Sequence, residues 1–370
     1  MQFREFQLWL HTMFGEVEGG LRPCPSEIVL DAGCGGGKSV AVLIIAHWLI
    51  EVLHVVDRVI WVVPNGSLRK QAAEACDPTD VAATLVGHRL EIVENANQGN
   101  PAKGKQGYVV TYSALSAARR SGGDGLTNPH VEELSAQRYV AIWDEPHHMT
   151  LGGRDEEARG YARGAEAILR LAKVNVFMSG TLFRHDRKPI AFMRYADSGK
   201  VDDESTPTRW FHRYLLQQAI KDQAVIKTEF YLHDGRASWM YAGQLQEAAS
   251  IKEDSAALWS ALQTEFADQV LTECVRHWRG WKLRHPRSKL LVVCANITQA
   301  RRAVKQLAAS SIRSEIATYR EDDADERIER FKRSDVDALV TVQKAYEGLD
   351  VPQITHLACL THIRSIGWIQ

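Results

Sequence analysis

Ile28-Val-Leu-Asp-Ala-Gly-Cys-Gly-Gly-Gly-Lys38-Ser39 decides how this chain is read. Ile28–Asp31 is a short apolar strand, and the stretch from Ser39 to Leu53 has the length and apolar content of a helix. Between them, the consecutive glycines Gly35, Gly36 and Gly37 let the backbone curl until its N–H groups face one point. The helix N-terminus that follows adds a partial positive charge at that point. Such a loop takes phosphate. Lys38 has the reach for the β- and γ-phosphates of a nucleotide, and the Ser39 hydroxyl suits Mg2+. Ala32 stands at the first position of the pattern, where Gly is usual, and Gly33 and Cys34 complete the loop.

Outward from this loop, apolar β-branched runs alternate with helical stretches. Val59–Val63, Tyr108–Thr111, Tyr139–Trp143 and Val174–Met178 are apolar almost throughout, as in strands buried on both faces of a parallel sheet. A second series begins at Lys289, with strands at Leu290–Cys294, Glu315–Thr318, Ala338–Val342 and Ile354–Leu360 and helices at Thr298–Ala309 and Asp322–Arg333. The expected fold is α/β, with two parallel-sheet units. The boundaries expected are a first domain at 1–235, a linker at 236–255 and a second domain at 256–370. Tyr195–Thr208 reads as a surface excursion, Arg213–Asp222 as a helix and Val225–Leu232 as a strand. One long helix is expected from the four-residue stepping of Leu258, Leu262, Phe266, Val270, Cys274 and Trp278.

Composition narrows the class. At 370 residues, 45% hydrophobic and 25% charged, the chain suits globular domains with sizeable cores. A net charge of −1 argues against a simple basic nucleic-acid-binding module, though not against a protein that grips a backbone with a few groups and main-chain donors. The six cysteines form no CxxC pair, so neither a zinc site nor a disulfide framework is indicated. The longest apolar run, Val40–Leu53, is broken by His47 and Glu51, so no membrane span is expected, and a reducing, cytoplasmic setting is.

Trp143-Asp144-Glu145-Pro146-His147-His148 ends an apolar strand. Two carboxylates there lie where parallel α/β sheets bind ligands. Asp144 suits holding Mg2+, and Glu145 suits polarising a water that attacks a γ-phosphate. His147 and His148 are not read as a metal pair, because neighbours on an extended segment point apart and no third ligand stands at metal spacing.

Taken with the loop at Ala32–Ser39, the D-E-x-H sequence at Asp144–His147 resembles superfamily 2 helicases of the DExH type, and the type III restriction-enzyme-like group in particular. Other motifs resemble that family in order. Phe3-Arg4-Glu-Phe-Gln7 is similar to its glutamine motif, which implies adenine recognition by Gln7 with Arg4 nearby. Val62–Gln71, with Pro64 and Asn65, and Thr111–Leu115, with Thr111 and Tyr112, resemble motifs that touch the nucleic-acid backbone. Ser179-Gly180-Thr181 is similar to the motif that couples nucleotide state to strand contact. Leu291–Asn296 and Thr341–Asp350 resemble second-domain motifs, implying nucleic-acid contact by Asn296 and Thr341 and a catalytic contribution from Gly348 and Asp350. The resemblance implies two RecA-like P-loop domains, ATP and Mg2+ as ligands, catalytic roles for Lys38, Asp144, Glu145 and His147, and a nucleic-acid partner. DNA is expected rather than RNA, with a restriction or defence complex as the setting.

The family's next motif, Q-x-x-G-R-x-x-R, would start at or just after Gln370, so its arginines are not in this sequence, and a second domain incomplete at that point is expected. Arg364 precedes the motif. Without the arginines, a nucleotide-binding regulatory or assembly module is the rival expectation. Three further stretches are read plainly: the basic run Arg276–Lys289, with Trp278 and Trp281, as a cationic helix end, the acidic run Glu321–Glu326 as a helix start, and Ser121–Pro129 as a surface loop. Arginine fingers carry roughly 10³–10⁵ in rate in GTPases. A C-terminally extended version is therefore expected to hydrolyse ATP far faster than the 370-residue chain, and equal steady-state rates would refute this.

Overall fold

Side-chain parity along the strands builds the first unit. It runs α1 (Glu5–Glu18), β1 (Glu27–Ala32), α2 (Lys38–Ala46), β2 (Arg58–Val63), α3 (Gly66–Ala75), α4 (Val81–Val86), β3 (Ile92–Glu94), β4 (Gly107–Thr111), α5 (Tyr112–Ser121), α6 (Pro129–Ala136), β5 (Tyr139–Asp144), α7 (Glu156–Leu171), β6 (Val174–Ser179), β7 (Arg209–Tyr214) and α8 (Leu216–Lys221). Ile28 and Leu30, Trp61 and Val63, Val140 and Ile142, and Val176 and Met178 enter one core with α1 and α2. Their neighbours Val29, Ile60, Val62, Ala141, Trp143 and Phe177 enter a second core with α5 and α7. Because successive side chains of a strand point to opposite faces, this makes three layers, helices–sheet–helices. The sheet is parallel throughout, in the order β3-β4-β2-β5-β6-β1-β7.

The computed structural model describes residues 3–33, 35–95, 99–121, 128–184, 186–225, 227–252, 254–342, 349 and 351–362. It divides into two units, Met1–Thr228 and Glu229–Trp368. The second contains β8 (Ala237–Tyr241), β9 (Gln244–Ala248), α9 (Ser255–Leu262), α10 (Glu265–Lys282), β10 (Lys289–Cys294), α11 (Ile297–Ala309), β11 (Ser314–Thr318), α12 (Ala324–Arg333), β12 (Ala338–Val342) and β13 (Ile354–Leu360). Its main sheet is parallel, in the order β11-β12-β10-β13. The α/β class with two parallel sheets is as expected.

Several local expectations are corrected. The stretch read as a linker at 236–255 holds the hairpin β8–β9, which belongs to the second unit; the division falls after 228 rather than after 235. Ala242 and Gly243 join its strands with φ of +50° and +80°, the signs a type I′ turn requires, and Ala237, Trp239 and Ala248 pack onto the second unit's core. The long helix is two helices. Thr264 starts α10 by accepting from the Phe266 N–H at 3.3 Å. That break rephases the stripe, so Ala267, Leu271, Val275 and Trp278 are buried in place of Phe266, Val270 and Cys274. The described residues of 225–232 form no strand.

The strand β7 follows directly on what read as a surface excursion and ends inside what read as a helix from Arg213. Charge hides its pattern: Arg209 and Arg213 stand where an apolar period would be sought. Arg209 is buried, with Nε donating to Glu27 Oε1 at 2.6 Å and its other nitrogens to the carbonyls of Glu204 and Asp202 at 2.6 and 2.7 Å. Arg213 donates to Asp31 Oδ2 at 2.7 Å. These pairs bind the edge strand to β1, the strand that carries the phosphate loop. Removing one member of a buried pair leaves the other charge uncompensated. Arg209→Ala is therefore expected to destabilise the chain by about 3 kcal/mol, read as a lower urea midpoint with unchanged slope.

Candidate nucleotide site

Strand register sets the site. Asp31 at the end of β1 pairs with Ser179 of β6, and Asp144 at the end of β5 pairs with Met178. The three strand ends are level, so the segments leaving them converge at the C-terminal edge of the sheet, where parallel α/β folds bind ligands. Those segments are the phosphate loop, Glu145–His148 and Ser179–Thr181.

The loop has the form its glycines allow. Gly35 and Gly37 sit at φ of +69° and +87°, and α2 begins at Lys38. A Cβ on Gly37 would fall 2.6 Å from Gln7 Nε2 and 3.1 Å from an Arg4 nitrogen, so a side chain there would displace those groups as well as strain the left-handed backbone. Gln7 is buried; its Nε2 donates to the Gly37 carbonyl at 3.0 Å and its Oε1 accepts from the Arg4 N–H at 3.0 Å. The Arg4 guanidinium donates to the Gly35 carbonyl. Arg4 and Gln7 thus brace the loop from the start of α1. Beside them lies an open pocket of about 910 Å³ lined by Phe3, Arg4, Trp9 and Asp222, among others. From the other side, Gly180 lies so close to the loop that a Cβ there would meet Gly33 Cα at 2.6 Å. Ala32 is buried, whereas Gly33, Gly35 and Ser39 are exposed.

Lys38 Nζ pairs with Glu145 Oε1, and both side chains are largely shielded from solvent. Glu145 itself is held in the left-handed region at φ +51°, which costs a residue with a side chain about 1–3 kcal/mol. Ser179 Oγ donates to Glu145 Oε2. His147 Nδ1 lies 3.0 Å from Thr181 Oγ1, 3.3 Å from Ser179 Oγ and 3.4 Å from Glu145 Oε2. Lys38, Glu145, His147, Ser179 and Thr181 therefore form one polar network. His147 and His148 occupy a 3-10 turn, not an extended segment, and their rings stack at 4.7 Å instead of pointing apart.

Asp144 stands beside this network with its Oδ1 out of solvent and without a hydrogen-bond partner. Burial pushes its carboxyl up to about 7, Lys38 opposes that shift and the Glu145 charge adds to it. An orphaned, hard carboxylate oxygen fits a magnesium ion by donor chemistry.

Other expected site residues have structural partners. Tyr112 is fully buried; its hydroxyl donates to the Asp144 carbonyl at 2.9 Å and its ring stacks near Trp143 and Tyr161. It holds the acidic strand end and offers no surface to a nucleic acid, contrary to expectation. Thr111, also buried, accepts from the Ala114 N–H at 3.2 Å, and Thr341 is buried inside β12. Asn65 caps α3 by accepting from the Leu68 N–H at 2.9 Å, beside half-buried Pro64. Asn296 caps α11 in the same way through Gln299 at 2.9 Å. Cys34, Gly348, Asp350 and Arg364 lie outside the described residues. Sequence reasoning missed Arg184, which is buried against the His147 main chain. A lone arginine after Ser-Gly-Thr carries no local signal of burial.

A glycine phosphate loop, a lysine, paired acids and a level strand edge define a nucleotide-binding α/β domain. Residues 16–184 match the family described as type III restriction enzyme, res subunit. An uncharacterized protein of Mycobacterium leprae (strain TN) is 26% identical over 344 residues, covering 90% of this chain and 53% of that protein. The chain spans about half the length of the curated relative it matches. Two solved structures are weakly similar. The Pyrococcus furiosus Hef helicase domain has a TM-score of 0.44 and 11% identity, covering 100% of this chain and 91% of that one. S. cerevisiae Dbp5 bound to RNA and ADP BeF3 has a TM-score of 0.49 and 13% identity, covering 95% and 73%.

The Asp144 carboxyl gives a pH signature. Its folded value of about 7 lies above the ordinary 3.8, so the native state holds a proton that the unfolded chain releases. Its contribution to stability is full below about pH 4 and declines as pH rises toward 7. Asp144→Asn removes that decline. Thermal midpoints of the variant are expected to exceed those of the parent increasingly from pH 5 to pH 8 without divalent cations; parallel curves would contradict the assignment.

Proposed function

We propose that this chain is a nucleic-acid-dependent ATPase of helicase or translocase type that acts on DNA. The observation that carries the reading is the Lys38–Glu145 pair at the mouth of the phosphate loop, next to the orphaned Asp144 oxygen. The DNA preference draws its support from the match to a restriction-enzyme subunit. Among the described residues no helix is long and apolar enough to cross a membrane.

In the ligand-free site Lys38 and Glu145 neutralise each other. A nucleotide triphosphate offers Lys38 a stronger anionic partner at the helix N-terminus. Lys38 then leaves Glu145, whose carboxylate stays aimed by Ser179 and His147. Freed in this way, Glu145 accepts a proton from water as the water oxygen bonds to the γ-phosphorus and the bond to the β–γ bridging oxygen breaks, releasing ADP. Magnesium, when bound to Asp144 and Ser39, supplies charge neutralisation at the phosphates. The exposed N-terminus of α3, at Gly66 and Ser67, gives main-chain donors suited to a nucleic-acid phosphate. The setting proposed for the whole protein is a restriction or defence complex, and Gly348 and Asp350 are the second-domain contributors proposed from the family resemblance.

Lys38→Ala is expected to weaken ATP-analogue binding roughly 10–100-fold, the worth of a charged phosphate contact. Glu145→Gln is expected to keep binding and lose roughly 10²–10⁴ in turnover. Hydrolysis should rise when duplex or single-stranded DNA is added, and less with RNA. A chain that binds ATP but responds to no polynucleotide would be a nucleotide-binding regulatory module instead.

A further inference from the structure

We infer that Arg184 is a positioning residue for ATP hydrolysis, which aims Glu145 by anchoring His147 and does not itself touch nucleotide; the inference rests on the hydrolytic reading above. Arg184 follows Ser179-Gly180-Thr181 and its side chain is 3% exposed. Its guanidinium joins three separate segments. One nitrogen donates to the His147 carbonyl. Another donates to Asp155 Oδ2 at 2.9 Å and to Asp186 Oδ2 at 3.1 Å, while Nε donates to Asp186 Oδ1 at 3.1 Å. Asp155 is also the cap of α7, accepting from the Ala158 N–H at 2.9 Å. The anchor is thus fixed to a helix of the rear layer as well as to its own loop.

What it anchors is a ring that bridges the acidic turn and the Ser-Gly-Thr segment. The His147 imidazole lies within 3.0–3.4 Å of Thr181 Oγ1, Ser179 Oγ and Glu145 Oε2. Where the His147 main chain sits therefore decides where the ring meets the Glu145 carboxylate. Glu145 needs such outside support, because its left-handed backbone is not a conformation a glutamate keeps unaided. A planar fork with several fixed donors can serve a carbonyl and two carboxylates at once, and an ammonium cannot reproduce that geometry.

The test uses the full chain with Arg184→Lys and Arg184→Met, each checked by thermal melting and by titration with a fluorescent ATP analogue. Nucleotide affinity and KM are expected to hold while kcat falls, by roughly 10²-fold for Met and less for Lys, as a small misplacement of a catalytic group does. In a His147→Ala background the Arg184→Lys loss is expected to shrink, because the ring through which Arg184 acts is gone. A second readout needs no turnover: in the ligand-free chain the His147 imidazole NMR resonance, assigned by its loss in His147→Gln, should move in Arg184→Lys while that of His130, buried against Tyr108, stays. If Arg184→Met does not fold, Arg184→Lys carries both readouts. An unmoved His147 resonance, or kcat losses that add fully with His147→Ala, would overturn the proposal. A parent chain without ATPase activity under any polynucleotide would instead sink the hydrolytic reading, and the resonance would still decide what Arg184 holds.

Discussion

The register of three parallel strands is the constraint on which the site depends. With Asp31 opposite Ser179 and Asp144 opposite Met178, the phosphate loop, the acidic turn and the Ser-Gly-Thr segment leave the sheet at one level. A slip of one residue would invert every side chain between the two cores, so burial on both faces fixes the register strongly. Site geometry is in this sense a by-product of core packing: Ile28, Leu30, Val140, Ile142, Val176 and Met178 must share one layer, and their strand ends follow.

Around that edge, nearly every polar group is matched by a partner from another segment. Arg4 and Gln7 brace the loop from α1, Tyr112 holds the Asp144 carbonyl from α5, and Arg184 holds the His147 carbonyl. Among the described residues, Asp144 Oδ1 is a buried oxygen at that edge with no hydrogen-bond partner. The Lys38–Glu145 pair leaves neither charge uncompensated at the loop.

Much of the site was legible from short motifs. Three glycines before Lys38-Ser39, and Asp144-Glu145 at the end of an apolar run, are dictated locally: backbone freedom and strand termination need few neighbours to be recognised. The residues read as strand contacts fared differently. Thr111 and Tyr112 stand in a motif position that suggests exposure, yet their side chains face the core behind Asp144. Periodicity did not distinguish one face of that turn from the other.

The sequence alone determined the α/β class, the alternation of strands and helices, and the place of the glycine turn and of Asp144-Glu145 at strand ends, because propensity, apolar period and glycine chemistry act over a few residues. Tertiary structure alone decided the charged edge strand β7, the break between α9 and α10, the hairpin at 237–248 and the burial of Arg184. Each of these depends on a partner far along the chain: Glu27 for Arg209, the second unit's core for Trp239, and Asp155 and the His147 carbonyl for Arg184. A charge reads as surface until the structure supplies the opposite charge that lets it be buried.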